Sequence, residues 1–345
     1  MTRLVVVTQR VDPGDPVLGA TVAKLRALAE RVDELVVLAD GAVAGVLPGN
    51  CRVRLFGARR RSGRGLRFAL ALADELRRSP RPVGVLAHMC PIYAVLAAPL
   101  ARPLRVPVLL WFTHWRASGL LRLAERVSST VLSVDERTFP LPSRKLRAIG
   151  HGIDVGGLAC VERPADGPLR LLALGRTSPA KGLETAIRAV VLVADATLEI
   201  RGPSLTAEER SHRVALEQLA ADLGVANRVR IEPPVPRDEV PAVLARHDAL
   251  VNDMRAGATD KVVFEAAASC LPVFASNPAF DRLLPDGLRF PAGDADALAR
   301  RLRALAHADR AALGRALRDR VLREHAVDGW AGRVLEAAGR ARDGV

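Results

Sequence analysis

The sequence predicts an α/β protein made of two doubly wound domains with a cleft between them. Three observations carry this. The chain has 345 residues, more than one ordinary domain holds and enough for two of average size. In each half, short β-branched runs alternate with longer amphipathic ones, the pattern of a parallel sheet with helices on both faces. Between the halves the alternation breaks, with glycines at 150, 152, 156, 157 and 167 and prolines at 164 and 168.

In the first half the strands fall at 4–8, 35–38, 53–56, 85–88, 108–112 and 131–134. Helices at 19–30, 66–77 and 92–101 carry apolar residues at helical spacing. The second half gives strands at 169–174, 198–201, 229–231, 249–251 and 273–275. Its helices fall at 183–194, 206–223, 237–246 and 261–269, then 295–307, 310–324 and 329–342. The expected domains are 1–150 and 169–325, joined by a linker at 151–168. The segment 326–345 is expected to pack back toward the first domain. Open parallel sheets bind ligands at the carboxyl ends of their strands, so a site in the cleft is expected.

Hydrophobic residues make up 49% of the chain and charged residues 26%, so both domains can bury real cores. No segment has a disordered or repetitive composition. The N-terminal residues run directly into a strand-length apolar stretch without a signal-peptide layout. No apolar run approaches the roughly 20 residues that span a bilayer. Cys51, Cys90, Cys160 and Cys270 lie far apart, without a CxxC pair or a metal-like pairing with His. A reduced, cytoplasmic setting is therefore expected.

The net charge is +13, from 51 Lys+Arg against 38 Asp+Glu. Only four of those cations are lysines (Lys24, Lys145, Lys181, Lys261), a skew that fits an Arg-rich coding bias. Aromatics at 3% argue against nucleic acid, because single-strand binders need stacking platforms. One dense cluster, Arg59, Arg60, Arg61, Arg64 and Arg67, reads as a basic loop running into a helix. A solvated loop and peripheral contact with an anionic membrane both account for it.

Two stretches carry chemistry. In Leu171-Leu-Ala-Leu-Gly-Arg-Thr-Ser-Pro-Ala-Lys-Gly-Leu-Glu184 a buried strand ends at Gly175, a loop holds Arg176 and Lys181, and a helix opens at Gly182. A nucleotide diphosphate needs cations and free backbone amides, which such a loop and helix N-terminus supply. An ordinary strand–helix turn with two solvated cations is the alternative. In the second stretch, Gly257 to Asn277, Asp260 and Lys261 open an apolar helix that carries the single carboxylate Glu265. A carboxylate among Val, Phe and Ala is costly without a partner. Ribose hydroxyls would satisfy it, and so would an ion pair with Lys261, although that pair has the less favourable order.

Together these stretches resemble the family-4-type retaining glycosyltransferases, also called glycosyl transferases group 1. The resemblance rests on Gly175-Arg176-x4-Lys181-Gly182, on 228–241, on Glu265-Ala-x-Ala-x-Cys-Leu-Pro-Val273 and on His151-Gly-Ile-Asp154. It covers the C-terminal half in order and spacing and is thin in the N-terminal half. It implies a GT-B fold of two Rossmann-like domains and a hexosyl transfer from a nucleotide diphosphate, with UDP expected ahead of GDP. Arg176 and Lys181 would hold the diphosphate and stabilise its departure. The backbone of Ala258, Thr259, Asp260 and Lys261 would line the sugar, and Glu265 would hold the ribose. The loop after Gly202, with Val235, would edge the base, and Gly175 counts with them as donor-binding. Gly19, in the glycine loop after the first strand, would let the first domain approach the phosphates. His114, in Trp111-Phe-Thr-His-Trp115, would contact the donor sugar and counts with Arg176 and Lys181 as catalytic.

One departure stands out. Where the family has a second Glu, eight positions before Glu265, this chain has Gly257. His151 in place of Asn is milder. Asp294-Ala-Asp296 suggests a metal-binding Asp-x-Asp, but it opens a helix and reads as an N-cap, so no metal and no cofactor are expected. The acceptor is a small molecule or a lipid or polysaccharide. A nucleotide-sugar-binding partner subunit and a nucleotide-sugar epimerase of the same architecture are the competing functions.

Overall fold

The computed structural model describes residues 1–15, 18–161, 167–257, 259–305 and 307–343. It divides into two compact units, Met1–Asp154 with Glu324–Val345, and Val155–Arg323.

The first unit runs β1 (Arg3–Val11), α1 (Thr21–Ala29), β2 (Glu34–Ala42), β3 (Cys51–Leu55), α2 (Arg61–Arg77), β4 (Gly84–His88), α3 (Pro91–Ala101), β5 (Val108–Trp111), α4 (Gly119–Val127), β6 (Thr130–Ser133) and β7 (Leu146–Ala148). The second runs β8 (Leu169–Leu174), α5 (Leu183–Leu192), β9 (Ala196–Arg201), α6 (Ala207–Asp222), β10 (Val229–Glu232), α7 (Val240–Ala245), β11 (Ala249–Asn252), α8 (Lys261–Ala268), β12 (Val273–Ala275), α9 (Ala295–Leu305) and α10 (Arg310–Glu324). The last helix, α11 (Val327–Asp343), returns to the first unit and packs on α1.

Both sheets are parallel throughout, in the orders β3-β2-β1-β4-β5-β6-β7 and β10-β9-β8-β11-β12. The strand order reverses between β1 and β4 in one sheet and between β8 and β11 in the other. Central strands are near-continuous apolar runs because both faces are covered: Leu4, Val5, Val6 and Val7 are all 1% exposed or less. Val5, Val7, Val36, Leu38, Val85, Ala87, Val108 and Leu110 face α2, α3 and α4. Trp111 meets Trp330 of α11 edge to face at 5.4 Å. The ammonium of Lys24 lies 4.6 and 5.0 Å from the two rings, a cation–π clamp that makes its burial tolerable.

Several elements differ from the sequence reading. The edge strand β7 and the helix α4 were not foreseen; β7 is three residues long and shows no period. The helix α2 begins at Arg61 rather than 66, so Gly63 and Gly65 lie inside it. The segment expected as a helix at 237–246 is a 3₁₀ turn, Arg237–Glu239, followed by α7. The cysteine reading needs correction: Cys160 and Cys270 form a disulfide, with Cα atoms 4.9 Å apart. Cys51 and Cys90 are free. The spacing of 110 residues between Cys160 and Cys270 concealed a pairing that only the tertiary fold creates. Among the described residues, no helix is long and apolar enough to cross a membrane.

A charge cluster ties the exposed edge of the first sheet to its helices. Glu75 of α2 is 0% exposed and accepts from Arg52 of β3 at 2.7 and 2.6 Å. Arg54 also donates to Glu75, and Arg3 lies 3.7 Å away. Inward charges on an edge strand also block pairing with a further strand. Burial opposes ionisation of Glu75, but the Arg52 and Arg54 hydrogen bonds outweigh it and hold the pKa at about 2.

Glu75→Gln removes the charge on which three arginines converge, so it should cost about 3–5 kcal/mol in urea unfolding at neutral pH. Because the folded pKa lies below the ordinary 4.5, the contribution is complete above that pH. It fades as the pH falls toward about 2. The stability gap between wild type and variant should narrow over that window, and a gap that stays constant would refute this role for Glu75.

Candidate functional site

The chemistry-bearing residues of the second unit gather at the carboxyl ends of β8 and β11, where the strand order reverses. After β8 the chain turns at Gly175. A Cβ there would come 2.7 Å from the Lys181 ammonium, and one on Gly202 would meet the Gly175 carbonyl at 2.0 Å. At Gly202 the ends of β8 and β9 approach so closely that only glycine fits, whereas at Gly175 the contact is the end of a flexible side chain and it is the positive φ of 136° that favours glycine.

Ser178 caps the 3₁₀ turn Pro179–Lys181, and Gly182 leads into α5 in a left-handed conformation, φ 57°. This turn places Lys181 against Asp260, to which its ammonium donates. Asn252, the last residue of β11, donates to the same oxygen at 2.9 Å. Asp260 sits at the N-cap of α8 without a side-chain capping bond, so the first amides of that helix remain available to an anion.

Arg176 donates to Glu209 at 2.9 Å. Glu209 is itself fixed by a capping box at the start of α6: Thr206 accepts from its N–H at 3.1 Å, and its second oxygen accepts from Leu205 at 2.7 Å. Glu265, midway along α8, is buried and accepts from Arg237 at 2.6 Å. Burial lowers the pKa of Lys261, one turn earlier, and the Glu265 charge works against that.

The site thus pairs three cations with three carboxylates: Lys181 with Asp260, Arg176 with Glu209 and Arg237 with Glu265. Asp260 Oδ1 and Glu265 Oε2 make no hydrogen bond to the protein among the described residues. Cations can receive phosphate oxygens, and open carboxylate oxygens can accept from hydroxyls.

The remaining sequence-derived positions fall as follows. Thr259 and Val235 are partly buried in loops of the second unit, while Ala258 lies outside the described residues. Gly257 adopts φ 81°, a left-handed backbone that would strain any carboxylate-bearing residue, and donates to Asn277 at 3.4 Å. In the first unit, Gly19 is buried and its N–H donates to Asp15 O at 2.9 Å. His114 follows β5, accepts from the Arg116 N–H at 3.0 Å on Nδ1 and stacks on Trp115 at 5.6 Å. Partial desolvation, then the Arg116 cation, lowers its pKa and favours the neutral ring.

Sequence reasoning missed Glu209, Arg237, Asn252 and Asp253. Only Glu209 carried a local signal, the Thr206-x-x-Glu209 capping pattern. Asp294 accepts from the Ala297 N–H at 2.7 Å and so caps α9. Among the described residues, no group of three His, Cys, Asp or Glu side chains is placed to hold a metal.

Residues 168–308 match the profile of the family described as Glycosyl transferases group 1. No curated protein matches the chain in sequence. Among solved structures, the chain is similar to sucrose-phosphate synthase from Thermosynechococcus elongatus (16% identity, 100% of both chains, TM-score 0.76). It is similar to Anabaena HepE in complex with UDP (17% identity, 99% of this chain and 100% of the other, TM-score 0.79). A glycosyltransferase from Rickettsia africae ESF-5 matches at 12% identity, over 99% of this chain and 98% of the other, with TM-score 0.77. These likenesses establish the fold as GT-B, two Rossmann-like domains in one chain.

Proposed function

We propose, from the premise that residues 168–308 are a group 1 glycosyltransferase domain, that this protein moves a sugar from a nucleotide diphosphate to an acceptor with retention of anomeric configuration and without a metal. The observation that carries this reading is the meeting of Lys181 and Asp260 at the strand reversal, beside the uncapped start of α8. Arg176, Lys181 and the helix amides would take up the charge that develops on the departing diphosphate, the part a divalent cation plays elsewhere. Asp260 would accept from a sugar hydroxyl and Glu265 from the ribose, each through its open oxygen. UDP is the nucleotide of choice, supported by the UDP bound in HepE.

The acceptor is a small molecule, a lipid or a polysaccharide. Gly257 supports a second reading, a partner subunit that binds nucleotide sugar without transferring it, because no side chain stands where a sugar-binding carboxylate is expected. The paired Arg176, Lys181 and Glu265 favour the enzyme.

The first unit would touch an anionic membrane through α2. Of its basic cluster, Arg64 pairs with Asp40 at 3.1 Å and Arg67 donates to Gly57 O at 2.7 Å. Arg59, Arg60 and Arg61 make no such contact among the described residues and are exposed. On the same helix Leu66 and Leu70 are 62% and 63% exposed, one turn apart, and the three cations lie at and just before its start.

Arg176→Ala and Lys181→Ala should each lower turnover about 10²-fold or more, matching the ~2.7–4 kcal/mol of one charge-stabilising group, with unchanged circular dichroism. EDTA should leave wild-type turnover as it was. Full rates in both variants would remove the diphosphate assignment, and a chelator-sensitive rate restored by Mg²⁺ would remove the metal-free one.

Asp260→Asn should cut transfer about 10-fold or more, the cost of a charge-assisted hydrogen bond to the sugar. UDP affinity should hold or tighten, because Lys181 loses its competing carboxylate. Transfer at the wild-type rate would place the sugar elsewhere.

Replacing Arg59, Arg60 and Arg61 together by Glu should abolish retention on phosphatidylglycerol vesicles at low salt, since each cation contributes about 1 kcal/mol. Retention that survives the reversal, or wild-type protein that never binds, would rule out this surface.

A further inference from the structure

The first unit contains a cavity that the donor chemistry does not use. It lies at the amino ends of β5 and β6, the opposite end of the sheet from the 111–115 loop. Its volume is about 470 Å³, within the range of small-molecule sites. Four arginines line it, Arg102, Arg105, Arg147 and Arg340, together with Ser129 and Thr130. No carboxylate is among the lining residues.

The local acceptors that could neutralise these arginines are already engaged. The C-terminal carbonyls of α4 take Lys145, whose ammonium donates to Glu125 O, Arg126 O and Ser128 O at 3.0, 2.8 and 3.1 Å. Arg102 takes the remaining one, Val127 O, at 2.7 Å. The Glu125 side chain accepts from Ser143 at 2.6 Å, and Arg340 pairs with Glu336 one turn back. Arg105 and Arg147 have no protein partner among the described residues. At Glu75 convergent arginines meet a carboxylate. Here they line a concavity whose wall carries no carboxylate, and like charges gathered there repel one another unless an anion enters. Arg105 is also held in the left-handed region, φ 54°, as it closes the turn after α3, a cost that a non-glycine residue bears only where its surroundings impose it.

We infer that this cavity binds an organic anion carrying at least two phosphate charges, at a site distinct from the donor loop of the second unit. Planar guanidinium groups match phosphate oxygens two at a time, and the volume leaves room for more than one phosphoryl group. A soluble phosphorylated metabolite and the headgroup of a phospholipid share this chemistry.

The test is calorimetric titration of the full chain with inorganic pyrophosphate, in the presence of saturating UDP to occupy the donor site. Binding should weaken steeply with added salt. The double variant Arg105→Gln/Arg147→Gln should lose it at least about tenfold, with its melting temperature and UDP affinity unchanged. If UDP proves not to bind, pyrophosphate titrated alone into wild type and double variant still decides the matter, so failure of the donor reading is separable. Phosphatidic acid vesicles give the second arm. Retention that depends on Arg105 and Arg147 and is competed by pyrophosphate identifies the lipid source; free pyrophosphate binding with vesicle retention indifferent to these residues identifies the soluble one. No pyrophosphate binding, or binding equal in wild type and double variant, would overturn the inference.

Discussion

The candidate site of the second unit hangs on one buried carboxylate, Asp253. It follows β11 and accepts from the Thr185 hydroxyl in the first turn of α5 at 2.6 Å, from the Gly293 N–H at 3.0 Å and from the Ser276 hydroxyl beyond β12. Three segments distant in sequence are thereby fixed to one side chain. Gly182 lies so close that a Cβ there would fall 2.7 Å from an Asp253 oxygen, which sets how the loop bearing Lys181 can turn into α5. A buried carboxylate with this many donors is held firmly, since each lost bond would leave a charge uncompensated. Lys181 and Asp260 meet because Asp253 holds the ends of their two loops in register.

What was legible in the sequence follows from how far apart the cooperating residues lie. Strands buried on both faces announce themselves as unbroken Val and Leu runs, so β1, β2, β4, β5 and β8 needed nothing beyond their own residues. The strand β7 pairs only as an edge, and three residues carry no period. Gly175, Arg176 and Lys181 were visible because a strand end, a glycine and a helix start are local signals. Their partners were not, since Lys181 and Asp260 are 79 residues apart and Arg237 and Glu265 are 28 apart. Glu265 was recognised as a carboxylate in need of a partner, with ribose and Lys261 as the options. The partner the fold supplies is Arg237, which leaves one oxygen open. The pairing of Cys160 with Cys270 was hidden for the same reason.

The excess of arginine divides by use. Many serve as carbonyl clamps: Arg228 donates to four backbone oxygens between Val190 and Ala196, and Arg333 bridges Ile149 O and Glu324 O. Others saturate buried carboxylates, as around Glu75 and as Arg170 does at Asp248. A guanidinium with five donors suits both tasks better than an ammonium. Many of the others have no side-chain partner among the described residues, and they are spread along both units, with Arg59, Arg60 and Arg61 the densest run.

The return of α11 to the first unit has a consequence for how the chain is made. Trp330 supplies the surface on which Trp111 and Lys24 rest, and it emerges from the ribosome only after residues 1–329 have been made. The second unit is continuous from Val155 to Arg323 and can complete its fold during synthesis. The first unit, begun earlier, must wait. Until α11 arrives, the part of the sheet face beside α1 that carries the Trp111 ring, with a lysine lacking half of its aromatic clamp, stays uncovered. During translation at about 5–20 residues per second, that face is what a chaperone would meet.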